Sequence, residues 1–325
     1  MSPASPKPGI LVLRGGAIGD FILTIPVLTA LRGRFPHCQL ELLGYPHIAQ
    51  LAAELVDRIH PIEARAMTGF FVPDGELNPQ LAEIFGGFAI ILSYLYDPDG
   101  IFQRNVARCS SAQFIVGPHR PDESLGVHAT EILLKPLEQL AIYDVNPVPE
   151  IRLQTPDASS PAGTPGNGNR RVLALHPGSG SELKNWSESS WLELLQRLVA
   201  QSDLHFLLVG GEAEGDRLAR IAAVIPEDRL ELARNWPLRH LAWRLQSCAG
   251  FIGHDSGISH LAAAVGLPGL ILWGSTCETV WRPRSDRMIL LRDPLGLDFL
   301  PVDRVLEGLT ARLKIHFCRS RGNEA

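Results

Sequence analysis

The residues with the clearest chemistry are Asp255, Ser256, Gly257 and His260, which follow the apolar run 250–253. The run and the small-residue stretch after it predict a strand that leads through a turn into a helix. The first turn of a helix has free N–H groups and a partial positive charge, both of which suit a phosphate. Asp255 and Ser256 are good N-cap residues, and His260 lies one turn into the helix on the same side. The turn therefore offers N–H donors to a phosphate and a carboxylate to hydroxyl groups, which are the two needs of a sugar nucleotide.

A second loop with anion-binding character, residues 176–186 (HPGSGSELKNW), follows the strand predicted at 172–175. Small residues such as Ser179 and Gly180 let backbone amides approach an anion, and Lys184 adds a positive charge. The loop could equally be a solvated surface segment, but the 255–257 turn in the same half of the chain favours a binding site. Glu212 follows another predicted strand, and either binds ribose hydroxyls or only complements a helix dipole.

Near the N-terminus, a glycine-containing loop with Gly16, Gly19 and Asp20 follows the strand predicted at 10–13. Its spacing is not G-x-G-x-x-G, so the match to a dinucleotide-binding fingerprint is weak. Gly19 is expected to allow a sharp turn, after which Asp20 begins a helix. Two roles are open for Asp20: a helix cap, or a general base that the helix dipole keeps ionised and that takes a proton from an attacking hydroxyl.

The elements that would position these residues repeat a strand–loop–helix pattern in both halves of the chain. Such alternation predicts an α/β fold with two Rossmann-like domains, whose parallel sheets are covered on both faces and meet at a cleft. The Gly-, Pro- and Ser-rich residues 155–170 predict a linker. We expect an N-terminal domain at 1–154, a C-terminal domain at 171–300 and a last segment, 301–325, whose helix packs back on the first domain. Predicted strands cover residues 10–13, 40–43, 89–92, 114–116, 172–175, 206–209, 250–253 and 270–273, and the main predicted helices 20–34, 188–201, 213–224 and 302–317.

The composition of the chain argues against several classes of protein. The chain has 325 residues, of which 45% are hydrophobic and 20% charged, with a net charge of −5. It lacks the broad basic face of a nucleic-acid-binding protein. Its five cysteines are scattered without a C-x-x-C pair, which favours reduced thiols over disulfides or a zinc site. No apolar run reaches ~18 residues and no signal-peptide core is present, so we expect a cytoplasmic protein.

Four ordered segments together resemble glycosyltransferase family 9, the ADP-heptose:lipopolysaccharide heptosyltransferases and their relatives. The resemblance covers nearly the whole chain. It departs from the common pattern at His254, where the family usually has Asn, and at Gly15 and Ser275. The matching segments are 14–20 with Pro26, 176–179 with 184–186, 253–257 with 260–264 and 266–268, and 273–276 with Trp281 and Pro283.

The resemblance implies a GT-B fold and an inverting transfer of heptose from ADP-heptose to a lipopolysaccharide core or related glycan, with no metal or other cofactor. It implies that the nucleotide sugar binds the C-terminal domain and the acceptor the N-terminal one. A peripheral contact with the cytoplasmic face of the inner membrane is one alternative, which depends on the role of Phe70 and Phe71. Asp20 would be the catalytic base. The implied donor-binding residues are Ser179, Gly180, Lys184, Glu212, Asp255, Ser256, Gly257 and His260, and the implied acceptor-binding residues Gly16 and Gly19.

Other interpretations stay open at this point. GT-B proteins also include nucleotide-sugar epimerases and hydrolases, and a nucleotide-sugar-binding protein without turnover is a further alternative. Asp97-Pro98-Asp99 matches the D-x-D of manganese-dependent transferases, although it reads as a turn. His254 and His260 are expected to form hydrogen bonds rather than to bind metal. Phe70 and Phe71 either fold under their own loop or form a lip at a membrane surface.

Overall fold

The computed structural model describes residues 9–153, 170–211 and 215–313. The chain divides into two compact units, Met1–Ile151 and Arg152–Ala325. The predicted linker, apart from residue 170, lies outside the described residues, as do Glu212 and the end of the predicted last helix. The domain limits stated above therefore stay predictions.

The first unit contains one five-stranded sheet in which every paired strand is parallel, with strand order β3-β2-β1-β4-β5. Its strands are β1 Gly9–Arg14, β2 Gln39–Gly44, β3 Arg58–Pro61, β4 Phe88–Ser93 and β5 Gln113–Val116, and its α-helices α1 Ile18–Arg34, α2 Pro46–Ala49, α3 Pro79–Gly86, α4 Ile101–Ala107 and α5 Ala129–Leu134.

The second unit contains a six-stranded parallel sheet of order β11-β10-β9-β6-β7-β8. Counted from β6, this is the 3-2-1-4-5-6 order of a dinucleotide-binding fold, whose order reverses between β6 and β9. The strands are β6 Val172–His176, β7 His205–Gly210, β8 Leu230–Arg234, β9 Gly250–His254, β10 Gly269–Leu272 and β11 Met288–Leu291, and the helices α6 Glu188–Gln201, α7 Gly215–Ala222, α8 Leu238–Gln246, α9 Gly257–Ala264, α10 Glu278–Trp281 and α11 Val302–Leu313.

Each sheet buries its own apolar core, because its central strands are covered on both faces. In the first unit, Leu11, Leu13 and Ile91 pack with Phe70 and Phe85. In the second, the side chains of β6, β7 and β9 pack with α6 and with one face of α11. The predicted α/β class with two parallel sheets is thus confirmed.

The last described helix contributes to the core of the second unit. α11 packs on β10 and α6 of the second sheet, and its buried residues Val302, Val305 and Leu309 belong to that core. Its described part therefore belongs to the core of the second unit, and the predicted packing of the 301–325 segment on the first domain stays a prediction. Residues 314–325 lie outside the described residues.

Candidate active site

The carboxyl edge of the second sheet carries the predicted donor loops at the point where the strand order reverses. The 176–186 loop leaves β6, and Asp255 leaves the adjacent β9. An ion pair joins them, with Lys184 Nζ 2.6 Å from Asp255 Oδ2. The Asp255 side chain is only 8% exposed, whereas that of Lys184 is 35% exposed. Lys184 therefore pairs with a buried carboxylate while part of its own side chain stays exposed, so that it can also contact an anion.

The start of α9 lies beside this ion pair. Ser256 is the N-cap, and its hydroxyl accepts a hydrogen bond from the Ser259 N–H. Gly257 is the first helical residue, and His260 lies one turn on and is buried. The side chain that caps the helix is thus Ser256, while Asp255 points to Lys184 instead. Asp255 and the first-turn N–H groups of α9 lie next to each other in sequence, as the predicted sugar-nucleotide site requires.

Ser179 and Gly180 occupy the same loop with different surroundings. The Ser179 hydroxyl donates to the Ser181 carbonyl at 2.7 Å and accepts from the Ser181 N–H at 3.3 Å, so it shapes its own turn. Gly180 is exposed, and a Cβ placed there would meet no heavy atom within 4 Å. Ser179 is therefore held in place, and Gly180 is not required by the packing of the loop.

Two histidines connect these loops, with partners that the sequence did not predict. His176 Nδ1 lies 3.2 Å from the Ser256 hydroxyl. His254, at the end of β9, is fully buried and contacts Gly178, Trp186 and Trp191. Burial, followed by the effect of nearby His176, lowers the pKa of His254 to about 3, so its ring is neutral at physiological pH.

The first unit places Asp20 in the first turn of α1, not before it. The helix begins at Ile18, so Asp20 is its third residue, and Asp20 Oδ2 accepts the Ala17 N–H at 3.1 Å. The sharp turn lies at Gly16, with φ +94°, whereas Gly19 is helical, so the predicted role of Gly19 as the turning residue is wrong. A Cβ at Gly16 would also approach Asp20 Oδ2 to 3.0 Å. Gly16 thus allows the loop to pass directly beside the carboxylate.

The buried side chain of Arg14 contacts the backbone of this turn. Its side chain is 3% exposed, and its guanidinium donates to the carbonyl of Asp20 at 3.0 Å and to that of His119 at 2.9 Å. Arg14 Nη2 also lies 3.8 Å from Asp20 Oδ1, whose side chain is 34% exposed. Burial lowers the pKa of Arg14, and the charge of Asp20 opposes that change. Asp20 is therefore both a helix-capping group and an accessible carboxylate with a fixed cation beside it.

The D-x-D segment functions as a turn and a cap. Asp97 accepts the N–H groups of Phe102 and Gln103, both at 3.0 Å, at the start of α4. Over the described ranges, no group of three or more His, Cys, Asp or Glu side chains is arranged to hold a metal ion. Each carboxylate oxygen of Asp97 thus accepts a backbone N–H group.

The two aromatic residues of the predicted lip differ. Phe70 is fully buried, and its ring centroid lies 4.8 Å from that of Phe85 in a tilted arrangement. Phe71 is 43% exposed and is followed by exposed Val72. In the part of the chain that the structure covers, no helix combines the length and apolarity needed to cross a membrane. The exposed large apolar side chains of this loop are those of Phe71 and Val72.

Comparison with known proteins identifies the family. The sequence model of glycosyltransferase family 9 (heptosyltransferase) matches residues 111–296, which is more than half of the chain. The chain belongs to this family. The predicted family, and with it the predicted class of glycosyltransferases, is confirmed.

Individual proteins similar to this family 9 protein are also heptosyltransferases. Lipopolysaccharide heptosyltransferase 1 of Pseudomonas aeruginosa is 27% identical over 296 residues, which cover 82% of this chain and 79% of that protein. Lipooligosaccharide heptosyltransferase 2 of Haemophilus influenzae is 27% identical over 131 residues, so that alignment spans only 38% of this chain and 37% of that relative.

A solved structure extends the comparison to the fold. The structure of the Escherichia coli ADP-heptose lipopolysaccharide heptosyltransferase II matches with a TM-score of 0.72 and 16% identity, covering 94% of this chain and 98% of that one. At that identity the match concerns the fold alone, and it gives this family 9 protein the GT-B fold that the resemblance implied.

Proposed function

We propose that this protein transfers heptose from ADP-heptose to a hydroxyl of a lipopolysaccharide core or related glycan, with inversion at the anomeric carbon and without a metal or other cofactor. The observation that carries the proposal is the Lys184–Asp255 pair beside the start of α9, at the strand-order reversal of a family 9 chain. The similar E. coli protein is described as an ADP-heptose lipopolysaccharide heptosyltransferase, which supports this donor and acceptor.

The donor site follows from the chemistry of the second unit. Lys184 and the α9 N–H groups at Gly257 stabilise the diphosphate, together with Ser179, Gly180, Ser256 and His260. Asp255, whose carboxylate contacts Lys184, accepts hydrogen bonds from sugar hydroxyls. Glu212, outside the described residues, is proposed to bind the ribose hydroxyls. Each partner suits one part of a nucleotide sugar.

The reaction requires one base and stabilisation of one leaving group. The acceptor hydroxyl attacks the anomeric carbon, and Asp20 accepts its proton as the new C–O bond forms. The bond from the anomeric carbon to the diphosphate breaks, and ADP leaves with the electron pair. Lys184 and the α9 N–H groups neutralise the charge that develops on ADP. Gly16 and Gly19 let the acceptor approach Asp20 closely, and a single displacement inverts the anomeric configuration.

A transfer assay tests this function. With ADP-heptose and a heptose-free lipopolysaccharide acceptor, we expect ADP release and an acceptor heavier by one heptose residue in mass spectra, with the inverted linkage by NMR. EDTA should leave the rate unchanged. Free heptose or an epimer formed from the donor alone would contradict transfer, and a loss in EDTA that Mn²⁺ restores would contradict metal independence.

Replacing Lys184 with alanine should weaken ADP binding. A hydrogen bond to a charged group contributes about 1.5–3 kcal/mol, so we expect the Kd for ADP to rise about 10- to 100-fold in calorimetry. Lys135→Ala is the matched control, because Lys135 is an exposed lysine of the first unit. An unchanged Kd in a folded Lys184→Ala protein would remove Lys184 from the diphosphate site.

We also propose that the protein acts at the cytoplasmic face of the inner membrane and touches it through Phe71 and Val72. Both side chains are exposed at one loop. Burying a phenylalanine in an apolar phase contributes about 1.5–3 kcal/mol, so Phe71→Ser should reduce co-sedimentation with anionic vesicles about tenfold. Phe299→Ser, at an exposed phenylalanine of the second unit, is the control. Equal sedimentation of all three proteins would end this proposal.

A further inference from the structure

His254 lies where the predicted donor loops meet, although its side chain is not exposed to any ligand. It is the last residue of β9, and its ring is fully buried. β9 pairs with β6 on one side and with β10 on the other. The residue that follows it is Asp255, the partner of Lys184.

The contacts of the ring determine where its proton lies. Nε2 is 2.9 Å from the Trp186 backbone N–H and 3.4 Å from the Trp191 indole N–H. Both of these groups can only donate, so Nε2 must accept and cannot carry a proton. The proton of the neutral ring therefore lies on Nδ1, which is 3.4 Å from the Gly178 carbonyl and donates to it.

These contacts reach both ends of one loop segment. Gly178 and Trp186 are the two ends of this segment, and Ser179 and Lys184 lie between them. Trp186 is itself fixed, because its indole N–H donates to the Leu300 carbonyl at 3.0 Å and its own carbonyl accepts from Arg217 at 2.5 Å. A single imidazole thus closes the 178–186 segment against the end of β9.

We propose that His254 is a positioning residue of the donor site, whose neutral ring fixes both ends of the 178–186 segment and so holds Ser179 and Lys184 in place for the diphosphate of a nucleotide. This inference rests on the proposed function, because it assigns the segment to diphosphate binding. A buried ring with a strongly lowered pKa agrees with the neutral state that the contacts require.

The two ring nitrogens can be tested separately. In His254→Asn the shorter amide can still donate to Gly178, and in His254→Gln the longer one can still accept from Trp186, whereas His254→Leu does neither. We expect the Kd for ADP to rise about tenfold in His254→Leu and less in the two amide variants, since each keeps one hydrogen bond. His205→Leu is the control, because His205 is the first residue of β7 and lies at the amino end of the strand, away from the donor loops at the carboxyl edge of the sheet.

The readouts separate positioning from stability. ADP binding is measured by calorimetry on protein shown to be folded by circular dichroism, so a variant that only lowers Tm leaves the Kd unchanged. Two-bond ¹H–¹⁵N spectra of the wild-type protein should show the Nδ1–H tautomer, whether or not His254→Leu folds. An Nε2–H tautomer, or folded variants that all bind ADP within about twofold of wild type, would overturn the inference. If the wild-type protein itself does not bind ADP, the proposed function fails instead.

Discussion

Asp20→Asn should lower turnover by about 10²- to 10⁴-fold, which is the usual contribution of a positioned general base. Asparagine retains a carbonyl oxygen that can accept the Ala17 N–H, so the start of α1 should remain intact. It cannot take a proton from the acceptor hydroxyl. Initial rates at saturating donor and acceptor measure the effect, and calorimetry with ADP should give an unchanged affinity.

Asp97→Asn provides the matched control for this experiment. Asp97 also follows a strand at the carboxyl edge of the first sheet, but its two oxygens cap α4. We expect Asp97→Asn to keep most of the wild-type turnover. Near-normal turnover of Asp20→Asn would refute its assignment as the base, and an equal loss in both variants would show that the effect is not specific to Asp20.

Acidification should destabilise the protein through His254. Histidine has a pKa of about 6.5 in an unfolded chain, whereas His254 has a pKa of about 3 in the folded protein, first because of burial and then because of nearby His176 and Arg217. Between these values the unfolded state binds a proton that the folded state does not. The free energy of unfolding is therefore at its full value above the unfolded pKa, falls as the pH drops below it, and stops falling near the folded pKa.

The size of this effect can be isolated by comparison with His254→Asn, which has no titrating ring. Between about pH 7.5 and about pH 5, wild type should lose about 2 kcal/mol more unfolding free energy than the variant. Urea unfolding followed by circular dichroism measures this difference, and His205→Asn should behave like wild type. Parallel losses in wild type and His254→Asn would mean that the His254 ring is protonated in the folded state.

The central strands of both sheets could be predicted from sequence because they are buried on both faces and read as continuous apolar runs. The three strands that sequence reasoning missed, β3, β8 and β11, lie at sheet edges and are partly exposed. β3, with the sequence RIHP, has a single buried side chain. Few of their side chains are buried, so their sequences give a weaker apolar signal than those of the central strands. β5 is also an edge strand, but it could be predicted because residues 114–116 are all apolar.

The candidate site divides in the same way. Lys184, Asp255 and Ser256 could be selected because loops after strands and the first turn of a helix follow local rules. The roles of His254 and Arg14 could not, because their partners are distant in sequence: Gly178 is 76 positions from His254, and His119 is 105 positions from Arg14. Asp20 could be chosen as a candidate because it is a carboxylate after a glycine loop. Its position inside the helix could not be predicted, because the chain turns at Gly16 and not at Gly19.

The backbone contacts of Arg14 determine which sequence changes near Asp20 leave its surroundings intact. Arg14 donates to the main-chain oxygens of Asp20 and His119, and it pairs with the carboxylate of Asp20 but not with the side chain of His119. Any residue at position 119 presents the same carbonyl oxygen, so the side chain there can change, by evolution or by design, without removing this contact to the arginine beside Asp20. A backbone shift near position 119, such as one caused by an insertion, would instead move the carbonyl oxygen that Arg14 contacts, and with it the arginine beside Asp20.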